Sequence, residues 1–100
     1  MMTEHERTAI QKFISYYHTD YEVMKNGKRF NIGDRVVCMC HGYSSIGRKF
    51  IPLTECTIQD YCKHNCNYKV VFDNGDYTWL HKDFLKTTQD VKSIYGEVIK

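Results

Sequence analysis

The chain has 100 residues and a mass of 11.9 kDa, which gives room for one domain with a modest core and too little for two independent ones. With 42% hydrophobic and 26% charged residues, one Pro and six Gly, its composition is globular, and the disordered and collagen-like classes are excluded. A net charge of +2 supplies no general field for nucleic acid or acidic membrane, so any basic surface has to be local.

The N-terminal stretch "MMTEHERTAIQKF" carries no apolar signal segment, and the five cysteines are odd in number. A reduced, cytoplasmic thiol set is expected. No apolar run approaches the roughly 20 residues that a membrane crossing needs.

Thr3 with Glu6 three positions later has the pattern of a capping box, and Ile10, Phe13, Ile14 and Tyr17 fall at i, i+3, i+4 and i+7. An amphipathic helix is predicted over residues 3–20, its stripe packed on the body that follows or, alternatively, laid in a partner's groove. Asn26-Gly27 between alternating flanks predicts a two-residue hairpin turn. "IGDRVVCMC" predicts a strand from Arg35 to Cys40, "HGYSSIGRKF" a polar loop, and "LTECTIQ" a second strand over 53–59. In "YKVVFDNGDYTWLHKDFL", Tyr68, Val70 and Phe72 alternate up to a turn rich in residues that tolerate positive φ, and "YTWL" returns as the next strand. "HKDFL" reads as a short helical turn. Val91, Ile94, Tyr95 and Val98 predict a C-terminal helix over 88–100, although Gly96 within it costs about 1 kcal/mol against Ala; a fifth strand near 86–92 is the alternative.

"GDRVVCMC", a variable loop, a middle strand and then "YKVVFDNGDYTWLHKDFL" resemble the Tudor, agenet and KOW group of small SH3-like barrels over about residues 32–86. The fold expected is therefore mainly β (α+β), a small SH3-like antiparallel barrel over 30–86 within one domain of residues 1–100. An N-terminal amphipathic helix and a short C-terminal helix flank it. The resemblance implies a binding role.

In Tudor-type modules an aromatic cage captures a methylated cation through stacked π-faces. The positions matching that end of the barrel are Phe72, Asp73, Asn74 and Tyr77, with Tyr43 and Phe50 from the first loop; these six form the candidate ligand-binding set. Against the cage stands a core assignment for the large aromatics Tyr68, Phe72 and Trp79. KOW modules imply nucleic-acid or transcription-machinery contacts, and Lys28, Arg29, Arg48 and Lys49 beside Tyr43 and Phe50 form the candidate basic set, which also includes Lys25.

"CMCH" and "CKHNC" raise the question of zinc, since Cys38, Cys40, His41, Cys62, His64 and Cys66 could supply four ligands. The usual C-x₂-C closure is lacking: Cys38 and Cys40 alternate onto one strand face, and the second cluster is C-x₃-C. Free thiols are expected, with no metal and no cofactor. No phosphate loop, H-E-x-x-H or G-x-S-x-G motif is present, and Cys40 with His81 is the one nucleophile pairing to consider. No catalytic residue is assigned.

The function expected is non-catalytic binding. Either the module docks on a protein partner, a role that suits a phage or viral accessory protein redirecting a host factor, or it is a KOW-like module acting on nucleic acid. The sequence leaves the oligomeric state open.

Overall fold

The structure is a computed structural model that describes residues 2–17 and 29–96, with the side chains of 15–17 left aside. The Asn26-Gly27 turn, Lys25, Lys28 and Val98 lie outside the described residues. Among the described residues the chain is a small α+β protein built on a five-stranded antiparallel sheet with two helices.

Helix α1 (Glu4–Tyr17) starts at the predicted capping box: Glu6 N donates to Thr3 Oγ1 at 3.1 Å and Thr3 N to Glu6 Oε1 at 2.9 Å. Ile10 and Ile14 are buried with Val37, Met39, Leu53, Val91 and Tyr95, and Phe13 packs against that cluster, so the stripe is core over these three residues, while the Tyr17 side chain lies outside the described part.

Strand β1 (Arg35–Cys38) ends two residues earlier than predicted, and Cys40 lies beyond it. Within the predicted polar loop the chain forms a small hairpin of β2 (Gly42–Tyr43) and β3 (Lys49–Phe50). It closes where Gly47 N donates to Ser44 O and Ser44 N to Arg48 O, both at 2.8 Å, with Gly47 at φ 80°.

The second predicted strand, over 53–59, is displaced to β4 (Glu55–Cys62). Leu53 is fully buried in the left-handed region at φ 70°, and Thr54 Oγ1 donates to Ile51 O at 2.7 Å. That turn, not a strand, occupies the start of the expected segment. Helix α1 clamps it: Gln11 Nε2 donates to Pro52 O at 3.0 Å and the Arg7 guanidinium to Leu53 O. β4 then continues to Cys62 through a register shift between Ile58 and Asp60.

β5 (Asn67–Phe72) and β6 (Tyr77–His81) form the predicted hairpin, and a single 3₁₀ turn (Lys82–Phe84) leads into β7 (Leu85–Lys86). Both C-terminal alternatives are thus realised in part: a two-residue fifth strand comes first, then α2 (Thr88–Ile94), capped by Thr87 Oγ1 accepting from Asp90 N at 3.1 Å. In α2, Val91 is buried but Ile94 is exposed.

The strand order is β6-β5-β4-β1-β7, and no ladder joins β6 to β7 among the described residues. One sheet face buries Val36, Cys38, Cys56, Ile58, Tyr68, Val70, Phe72 and Leu85 with Phe50 from β3. The other face is covered by α1 and α2 only at its Val37 end. β1 is therefore buried on both faces, which explains why "VVCM" reads as a continuous apolar run and not a strict alternation.

Candidate binding surface

The β5–β6 turn decides which residues reach solvent. A two-residue loop at Asn74-Gly75 would pair Phe72 with Tyr77 and bring Trp79 into the core. Instead Gly75, at φ 92°, donates its N–H to Phe72 O at 3.0 Å, and Phe72 N donates to Asp76 O at 2.8 Å, giving a three-residue loop over 73–75. The register becomes Val71↔Tyr77, Val70↔Thr78, Lys69↔Trp79 and Tyr68↔Leu80. A one-residue difference exchanges the two faces of a strand. Thr78 and Leu80 therefore share the inner face with Tyr68 and Val70, while Tyr77 and Trp79 stand on the outer one.

Trp79, expected in the core, is 42% exposed and Tyr77 40%. Of the three aromatics assigned to the core, Tyr68 (1%) and Phe72 (6%) are there. Lys69, cross-strand from Trp79, sets its ammonium 4.5 Å from the Tyr77 ring centroid, so a cation and two rings share one patch. The β2–β3 hairpin is fastened beside it by Ser45 N donating to Tyr77 O at 2.8 Å. That bond places the exposed Ile46 next to β6, and Tyr43, 68% exposed, lies on the same hairpin.

Next to this patch lies a cleft of about 250 Å³ floored by Phe50 and Phe72, whose rings are tilted with centroids 5.1 Å apart. Its polar wall is the buried Asp76 carboxylate, which accepts from Ser44 Oγ at 3.0 Å and lies 3.7 Å from Arg48 Nε. Asn74 Oδ1 accepts from Asp76 N at 2.9 Å and orders the turn.

Of the six predicted ligand-binding residues, Phe50, Phe72 and Asn74 line this cleft, and Tyr43 and Tyr77 stand on the adjoining surface. Asp73 is turned away: Arg35 grips its carboxylate with Nη1 and Nη2 at 2.7 and 3.2 Å. That bond holds Asp73 below the ordinary carboxylate range and raises Arg35 above its own. The aromatics lining the cleft are two core rings packed on each other, so they do not present the open faces of a cage.

The described members of the predicted basic set are dispersed. Arg29 lies with its guanidinium carbon 5.8 Å from the Tyr61 ring centroid, and Tyr61 pairs with Tyr68. Arg48 and Lys49 line the cleft beside Phe72, four residues or roughly 13 Å further along β5. Cys38 and Cys56 are buried on the inner face, and no group of three or more His, Cys, Asp or Glu stands close enough to hold a metal among the described residues. His81 caps the 3₁₀ turn, its Nδ1 accepting from Asp83 N at 3.2 Å.

Sequence reasoning missed Trp79, Lys69, Ser44 and Asp76. For Trp79 the signal was the turn length, because the inward set Tyr68, Val70 and Phe72 fixes the parity of β6 once the loop size is known. No helix among the described residues is long and apolar enough to cross a membrane. No family model, curated protein or solved structure matches this chain.

Proposed function

We propose that the chain is a non-catalytic binding module, a small barrel of the SH3-like kind, that docks on a protein partner through Tyr43, Tyr77 and Trp79. The barrel reading is supported by the strand order β6-β5-β4-β1-β7, by a hairpin inserted between β1 and β4, and by a 3₁₀ turn leading into the last strand. It fits the implied pattern of strands.

The observation that carries the docking reading is that the chain's one Trp stands outward on an edge strand beside Tyr77. A small domain gains most from burying such a ring, and here that gain is forgone. Tyr and Trp dominate the binding energy of protein interfaces, because they bury large rigid surfaces with few rotors to freeze. Lys69 adds a cation at the patch. The dispersed positions of Arg29 and of Arg48 with Lys49 support protein over nucleic acid, since a phosphate track needs contiguous charge.

The test is affinity capture from native-cell lysate, with and without nuclease, using the wild type and the Tyr77→Ala/Trp79→Ala variant. A protein partner retained after nuclease and lost with the double variant is the expected result. Capture abolished by nuclease, or unchanged by the double variant, overturns the reading.

A further inference from the structure

We infer that the partner segment docks as an added strand on the open edge of β6, and that this segment carries acidic residues; the inference rests on the docking reading above. Bonded and unbonded pairs alternate along an antiparallel ladder. Phe72 N donates to Asp76 O at 2.8 Å and Lys82 N to Cys66 O at 3.0 Å, so the bonded pairs between them are Val70 with Thr78 and Tyr68 with Leu80. The backbone groups of Tyr77 and Trp79 then point away from β5. The bond from Ser45 N to Tyr77 O confirms that direction. Trp79 N–H and C=O meet no strand, since β6 pairs only with β5 among the described residues.

Edges of natural sheets are ordinarily defended by Lys, Pro, bulges or extreme shortness. The opposite edge, β7, is two residues long and contains Lys86. β6 has five residues, YTWLH, with no Pro, no Gly and no Lys, Arg, Asp or Glu. Such an edge is a template for strand addition, in which main-chain bonds supply affinity and alternate side chains supply specificity.

The surrounding charge selects the occupant. Lys69 faces Trp79 across the ladder and Lys82 follows β6 directly, whereas Arg48, in the hairpin fastened to Tyr77, is paired with Asp76. The acidic group at the start of β6, Asp76, is buried against Ser44 and Arg48, and Asp60 lies one strand further in, opposite Lys69. A second copy of the chain would bring the same cations to the same edge. An extended segment with Glu or Asp at alternate positions would set those carboxylates on the outer face with Trp79 and Lys69, and its intervening apolar positions on the inner-face side with Thr78 and Leu80.

The probes are two end-blocked peptides, Thr-Glu-Val-Glu-Val-Glu-Thr and its Lys-for-Glu counterpart, added to the isotopically labelled full chain. Amide hydrogen exchange and the Trp79 indole resonance are followed by NMR. The acidic peptide is expected to slow exchange of the Trp79 amide by about tenfold or more. The Thr78 amide, already bonded to β5, should not change. The basic peptide should have no such effect, and Lys69→Glu should remove the response to the acidic one. A shifted indole with unaltered Trp79 exchange puts the peptide on the face and not the edge; that overturns strand addition and leaves the docking reading standing. Equal protection by both peptides, or no response to either, also overturns it, whereas failure of the docking reading shows separately as undiminished capture by the double variant.

Discussion

Arg35 on β1 reaches across β4, donating to Thr57 Oγ1 at 3.0 Å, and holds Asp73 beyond it. The pair is largely solvated, so its contribution is small, on the order of 0.5 kcal/mol or less after screening. Its sign is defined. Bonding by Arg35 lowers the Asp73 pKa, so the stabilisation is full above the unfolded carboxylate value near 4 and is lost as pH falls through the folded value. Asp73→Asn should therefore flatten the acid limb of the stability–pH curve while changing stability at neutral pH by less than about 1 kcal/mol, as read from urea midpoints at several pH values. An unchanged acid limb would mean that the pair is not formed in solution.

Burial sorts the cysteines in the same way. Burial, with a smaller push from a neighbouring thiol, raises the Cys38 thiol to about 11 and the Cys56 thiol to about 12. Cys62 and Cys66 are half-buried near the β4–β5 turn. Near pH 8, where the thiolate is the reactive form, iodoacetamide should label Cys62 and Cys66 in the native protein and reach Cys38 and Cys56 only after denaturant is added. Intact mass and peptide mapping give the count directly. Labelling of Cys38 and Cys56 without denaturant would show that the inner face opens readily.

At the scale of elements, the β2–β3 hairpin depends on Gly42. A Cβ there would lie 2.5 Å from Phe50 Cζ, and that ring packs against Phe72, so the ring or the hairpin must shift to admit it. Gly42→Ala should cost about 1–3 kcal/mol, the usual range for forcing an extra methyl into a packed site, and should loosen the loop that carries Tyr43. A thermal or urea melt checks it, and a neutral outcome would mean that Phe50 has room to shift.

Elements with a strong local signature were legible in the sequence. The Thr3/Glu6 box and the Ile10/Ile14 stripe fix α1, and the alternation of Tyr68, Val70 and Phe72 fixes the buried face of β5. Features set by non-local contacts were not. Leu53 in the left-handed region breaks the expected strand because Leu53 N donates to Cys38 O at 2.7 Å, a contact between residues on separate elements. Asp73 looked like a site residue until Arg35, distant in sequence, claimed it. Trp79 was placed inside because large aromatics usually belong there, and a difference of one residue in the turn reversed that.

Over the whole molecule, the sheet carries two unequal loads. Its inner face is filled by the β strands' own side chains and Phe50, whereas its outer face is covered by α1 and α2 only beside Val37. The remainder of that face, from Thr57 through Val71 to Tyr77 and Trp79, has no helix over it among the described residues, and the proposed docking surface lies in what this partial cover leaves open. The hairpin register therefore connects the fold to the proposed function: one turn residue more or less would turn Tyr77 and Trp79 from the outer face to the inner one.

The most direct test of that connection is a urea titration of Trp79→Ala beside Tyr68→Ala. Tyr68 is 1% exposed and its hydroxyl accepts from Phe30 N at 2.9 Å, so its truncation should cost about 3–5 kcal/mol. Trp79→Ala should cost less than about 1 kcal/mol with an unchanged m-value, as a surface ring on a strand does. A loss of about 3–5 kcal/mol for Trp79→Ala would place that ring in the core, reverse the register of β6 and remove the surface on which the binding proposal stands.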